Sequence, residues 1–217
     1  MNAEEVAHYL QNHPNFFEEQ AEVMAKIVLS HPHSGRAISI TERQLLMLRE
    51  KNKKLESKLH ELVQFGEEND VISEKMHRLG VAMIAAPSFQ AILHTLNFHL
   101  RDDFAVPHVA LRLWQRPADL DELPEFADVG EELQVFAETL NQPYVGSTAD
   151  FQTTFWFGAA AGKLRSQALI AMRNGGGTIG LIALGSEDTQ RFFAGMGTLY
   201  LERLGEMASA ALVRVLR

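Results

Sequence analysis

The chain has 217 residues, 46% of them hydrophobic, and contains no cysteine. Such a composition suits one folded domain with an extension, and it excludes disulfides, thiolate metal centres, iron–sulfur clusters and cysteine nucleophiles together. The formal net charge of −8 has the wrong sign for displacing counterions from nucleic-acid phosphates, so no nucleic-acid partner is expected.

The first residues, MNAEEVAHYL, carry acids where a secretory signal has a basic segment. No run approaches the roughly 18 apolar residues of a membrane span. A cytoplasmic protein with no membrane partner is expected. From Ala3 to about Leu29 the spacing predicts two short helices. Val6, Tyr9 and Leu10 share the face of one, and Ala21, Met24, Ala25 and Val28 line the other. Pro14 separates them, since it lacks the donor that a helix interior needs. His31-Pro32-His33-Ser34-Gly35 then breaks the chain. Two histidines with no third ligand in register make a poor metal site, so neither a metal nor a cofactor is expected there.

Ser39 or Thr41 can cap the next helix; with Ser39 as the cap, Glu42 three residues on completes a capping box. From there to Ala86 no proline occurs, and a long helix is expected. Leu45, Leu48, Asn52, Leu55, Leu59 and Leu62 alternate in steps of three and four, the heptad seam of a coiled coil. With Leu45 at position a, Asn52 also falls at a, Lys51 at g and Glu56 at the following e. A lone asparagine at a favours two parallel strands in register, so a parallel homodimer is expected. Beyond Leu62 the rhythm resumes out of phase at Phe65, Asn69, Ile72, Met76, Leu79 and Met83, like a stammer. The basic residues Arg43, Arg49, Lys51, Lys53, Lys54 and Lys58 are interleaved with acids and read as a solvated flank of this arm.

Pro87 ends the long helix, and Ser88 caps another bearing Phe89, Ile92, Leu93, Leu96 and Leu100. Val106 to Trp114 alternates as a strand, with His108, Ala110, Arg112 and Trp114 on one face and Val109, Leu111 and Leu113 on the other. Glu131 to Leu140 is expected to be helical. Phe151–Phe157, Ser166–Met172 and Thr178–Leu184 are expected strands, the last two joined by the glycine turn Gly175-Gly176-Gly177. A helical stretch is expected from Ser186, and a closing helix from Thr198 to Leu216. The fold class is therefore α+β: an antiparallel sheet with packed helices, preceded by a long helical arm. Residues 1–86 form the helical segment and 87–217 the sheet domain.

The C-terminal part resembles a GAF domain, a module that senses small molecules and signals. The likeness lies in Ser166-Gln-Ala-Leu-Ile-Ala-Met, the glycine hairpin, Thr178-Ile-Gly-Leu-Ile-Ala-Leu-Gly-Ser and an alanine-rich last helix. The whole chain resembles the bacterial family known as domain of unknown function 484. The shared residues are Tyr9-Leu10, His13-Pro14, Phe16-Phe17, Pro32-His33-Ser34-Gly35, Ser39-Ile40, Glu42-Arg43-Gln44, Leu48-Arg49, Glu68-Asn69-Asp70, Gly185-Ser186-Glu187-Asp188, Arg191-Phe192 and Gly197-Thr198-Leu199. The resemblance implies a GAF-like sheet and brings no established activity with it. GAF proteins that attach bilins or reduce methionine sulfoxide use cysteines, which are absent here. The Asn-Lys pair of cyclic-nucleotide GAF domains has its counterpart only in Asn52-Lys53, which lies in the arm.

His108, Arg112 and Trp114, with Trp156, are the candidate ligand residues. An arginine would neutralise an anion and a tryptophan would stack. Equally, that face can be partly solvated, with Arg112 meeting an acid from the Arg116–Lys163 segment, and Phe155, Trp156 and Phe157 can be core. Gly175-Gly177 precedes a strand and not a helix, so it is a turn and not a phosphate loop. Asp119, Asp121, Glu122 and Glu125 read as a solvated loop, and Ser147, Ser166 and Ser186 lack a nucleophile elbow. No catalytic residue is expected. The expectation is a regulatory or signal-sensing module that binds a small molecule or a protein partner. The second reading is a structural interaction module whose GAF pocket is filled.

Overall fold

The computed structural model describes residues 2–26, 28–30, 37–115, 123–149 and 151–216, with only the backbone of 24–26, 28–30 and 37–42. His31, His33, Asp119, Asp121 and Glu122 lie outside the described residues. Two compact units divide the chain, Met1–Asn69 and Asp70–Arg217.

In the first unit, α1 (Ala3–Asn12) opens on a capping box. The Asn2 side chain accepts from the Glu5 N–H at 2.8 Å, and the Glu5 carboxylate accepts from the Asn2 N–H at 3.0 Å. Tyr9 stacks on His13 with ring centroids 4.3 Å apart and meets Phe16 edge-on at 6.2 Å. Those contacts fold the chain back around Pro14 into α2 (Phe16–Glu19) and α3 (Ala21–Lys26). Three helices thus replace the expected two. Val28 leaves the helical stripe for β1 (Val28–Ser30), which pairs antiparallel with β2 (Ala37–Ser39).

The long helix is α4 (Ile40–Ala85). In the first unit its leucines stand in solvent: Leu48 is 63% exposed, Leu59 63% and Leu62 65%. In the second unit its last turns are core. Met76, Leu79 and Met83 are buried, and Ile72 packs beside them. The boundary expected after Ala86 therefore falls inside the second unit. The phase change after Leu62 marks an exchange of a solvent-facing seam for a core-facing one.

The second unit continues with α5 (Phe89–Asp102), β3 (His108–Leu113), α6 (Glu131–Thr139), β4 (Tyr144–Ser147), β5 (Ser166–Asn174), β6 (Gly177–Ser186) and α7 (Leu199–Val215). Its four strands form one antiparallel sheet in the order β3-β6-β5-β4. Alternation along the strands builds two apolar layers. Leu111, Leu113, Ala168, Ile170, Met172, Ile182 and Leu184 face α4, α5 and α7. Leu169, Leu181 and Ala183 face Leu133 and Ala137 of α6. Gly205 lets α7 lie close to β5, since a Cβ there would stand 2.6 Å from Ile170 Cγ2.

Two expected elements are absent, and one strand is additional. Phe151–Phe157 is not a strand: residues Gln152–Lys163 form a 3-10 helix broken at Gly158 (φ 54). Its aromatics do not alternate, for Phe155 is 76% exposed while its neighbours Trp156 and Phe157 both pack inward. The fourth strand is β4, a short segment that includes Gly146 and follows Pro143. No helix starts at Ser186. The Ser186 hydroxyl accepts from the Asp188 N–H at 3.1 Å, and the Asp188 carboxylate from the Gln190 N–H at 2.8 Å. Such local bonds compete with helix formation, and Gly195 (φ 93) adds a turn.

Candidate functional site

Register across the sheet places the candidates on one face. His108 pairs with Gly185, which pairs with Gln167; Ala110 pairs with Ala183, which pairs with Leu169; Arg112 pairs with Leu181, which pairs with Ala171. Trp114, Trp156 and Phe157 pack over this face together with α6. The four residues singled out from sequence, His108, Arg112, Trp114 and Trp156, therefore share one layer, though Trp156 arrives from a 3-10 helix and not from a strand.

The layer is occupied by the protein's own side chains. The Arg112 guanidinium lies 4.9 Å from the Trp156 ring centroid and donates to the Leu111 carbonyl oxygen at 2.9 Å. Desolvation lowers its pKa from the ordinary value, and the charge of Glu125 opposes that shift. Among the described residues no carboxylate stands within ion-pair distance of Arg112. Among the described residues Arg112 thus meets an aromatic face at close range and, from the Arg116–Lys163 segment, the longer-range charge of Glu125. The His108 ring meets Phe157 edge-on at 6.1 Å. At Gly185 an added Cβ would stand 2.9 Å from Leu164 Cδ1 and 3.3 Å from Phe157 Cζ. Leu164 and Phe157 thus rest against the bare backbone of β6.

One residue of this layer escaped the sequence reading. Gln167 is fully buried, and its Oε1 accepts from the Thr153 hydroxyl at 3.0 Å. Its Nε2 has no partner among the described residues. The available signal was an amide at the parity of Leu169, directly before the apolar run Ala168–Met172. Thr153→Val should leave both ends of that amide unsatisfied and destabilise the protein by about 1–3 kcal/mol. Adding Gln167→Leu to Thr153→Val removes both polar partners and should recover most of that loss. Urea unfolding of the two variants checks the order.

Elsewhere in this unit an open groove of about 520 Å³ runs between the β5–β6 turn and α7, lined by Arg173, Asn174, Glu206, Ser209 and Arg214. Its arginines are engaged with backbone. Arg173 donates to the carbonyls of Leu140 and Glu138, and Arg214 to those of Met83, Ile84 and Ala86. At the end of α5, Asp103 takes a 2.6 Å contact from His99 and a 3.2 Å contact from Arg78. The hydrogen bond from His99 is the main reason its carboxyl lies below the ordinary value. Among the described residues no group of three or more histidines and acids could hold a metal ion.

On the arm, Leu45, Leu48, Leu55, Leu59 and Leu62 are all exposed. The Asn52 amide donates to Glu56 of the next turn at 3.0 Å. Among the described residues no helix is long and apolar enough to cross a membrane.

A long helix followed by a four-stranded antiparallel sheet with helices on both faces defines an α+β protein. The chain belongs to the family described as "Protein of unknown function, DUF484", whose model matches residues 1–216. It is similar to "Uncharacterized protein YigA" of Salmonella typhimurium strain LT2, with 24% identity over 216 residues covering 96% of this chain and 90% of that protein.

Proposed function

We propose that the chain is a non-catalytic regulatory module of the cytoplasm that acts through protein contacts, as a parallel homodimer joined along the α4 arm. The observation that carries this reading is the contrast between its two candidate surfaces. The His108–Arg112–Trp114 face is covered by Trp156, Phe157 and α6, as in a GAF-like domain whose pocket is filled. The arm, by contrast, holds a row of leucines in water. Exposed apolar rows of this kind mark interaction sites.

One observation favours a second reading, a GAF-like sensor for an anionic small molecule. Arg112 holds a partly desolvated cation beside Trp156 with no carboxylate at ion-pair distance among the described residues. Native mass spectrometry of freshly purified protein distinguishes the two. A dimer mass with nothing retained supports the filled pocket. A retained anion that Arg112→Ala releases, losing about 1.5–3 kcal/mol of binding, supports the sensor. A monomer at micromolar concentration removes the homodimer.

A further inference from the structure

Heptad positions along α4 change hands once. The a positions run Leu45, Asn52, Leu59, Gly66, Ser73 and Gly80, and the d positions Leu48, Leu55, Leu62, Asn69, Met76 and Met83. As far as Leu62 both rows carry large side chains, with Asn52 the exception. From Gly66 the a row turns small, and in the second unit side chains of α7 stand beside it at Ser73 and Gly80. The Ser73 hydroxyl is hydrogen-bonded to the Tyr200 hydroxyl at 2.8 Å. A Cβ on Gly80 would stand 3.1 Å from Met207 Sδ. Arg214 donates to the carbonyls of Met83, Ile84 and Ala86 at the end of α4.

The residues of α7 that meet α4 are thus Tyr200, Met207 and Arg214, spaced by seven. They meet α4 in ascending order, so α7 runs in the same direction. The d positions Met76 and Met83 are buried in the sheet domain's own core. Ser73 is exposed and Gly80 half-buried, so it is the d row, from Met76 on, that is closed to another chain.

We infer that a second copy of this chain zips along α4 only from Leu45 to Leu62, and that from Met76 onward the core of the chain's own sheet domain takes the place of that second copy. The inference rests on the homodimer reading above. A second copy suits the upper seam because the seam is self-complementary. Asn52 meets its own mate at a, and Lys51 at g faces Glu56 at the following e with opposite charge. Small a residues below Gly66 suit the close approach of α7 and would leave gaps between two α4 helices.

The absence of native cysteine makes the test direct. Single variants Leu59→Cys and Ser73→Cys of the full chain, both at a, and Leu62→Cys at d, are oxidised and resolved on non-reducing gels. Ser73→Cys is close to isosteric and should melt like the parent. Leu59→Cys and Leu62→Cys should cross-link between copies. The cross-linked fraction at Ser73→Cys should be at least about tenfold lower, because a disulfide needs Cα atoms within about 7 Å. Equal cross-linking at Ser73→Cys in a folded dimer overturns the inference while leaving the homodimer standing. A monomer in sedimentation, with no cross-link at any position, overturns the homodimer itself.

Discussion

Gly180→Ala should destabilise the protein by about 3 kcal/mol or more, near the upper end for overpacking a core. Gly180 sits in β6, a central strand of the sheet, opposite both Leu113 and Met172. A Cβ there would lie 2.3 Å from the Arg112 carbonyl oxygen, 2.7 Å from Met172 Cε and 2.9 Å from Leu113 Cδ2. The methionine can swing away, but the carbonyl is backbone of β3 and cannot move without opening the ladder. Gly66→Ala is the matched control. Nothing lies within 4 Å of a Cβ at Gly66, which is helical. That change should stabilise by roughly 0.5–1 kcal/mol, the helix preference for alanine over glycine. Urea unfolding of both variants gives the comparison. Equal midpoints would mean that β3 and β6 are not held in this register.

Asn52→Ile should raise thermal stability and loosen control of oligomeric state. In a parallel pair the asparagine at a is buried against its mate, where it specifies two strands at a cost in stability. Replacing it with isoleucine adds a buried aliphatic side chain, worth about 1.5–3 kcal/mol per chain when burial is complete. If Asn52 instead faces solvent, the change removes only its 3.0 Å bond to Glu56. Exposed side-chain pairs of that kind on helices are worth about 0.2–0.5 kcal/mol. The two cases differ in sign as well as size. Thermal melts at fixed concentration, with sedimentation equilibrium on the same samples, read both. Lower stability with an unchanged oligomer would show that this heptad register is wrong.

The α+β class, the long arm and most helices were legible in the sequence because their signals are local. Apolar residues at three and four mark α4, α5 and α7, and residues 106–114 alternate as β3 does. The β5–β6 hairpin was legible too, since Gly175 (φ 59) and Gly176 (φ 96) adopt backbone angles that other residues avoid. Parity alone placed His108, Arg112 and Trp114 on one face.

What covers that face was decided by packing between segments far apart in the chain. Trp156 and Phe157 lie in a 3-10 helix because both find room over Gly185 and Arg112 while Phe155 turns to solvent. No run of three aromatics announces that division. The Thr153–Gln167 bond joins residues 14 apart, and neither shows in sequence that it is buried. Likewise the three-and-four apolar spacing of α4 continues above and below Gly66, apart from its change of phase after Leu62. Only tertiary structure shows that Ser73, Gly80 and Met83 already have partners in their own chain while Leu59 and Leu62 stand in water. A periodic pattern records which side of a helix is apolar; the atoms that cover it come from elsewhere in the fold.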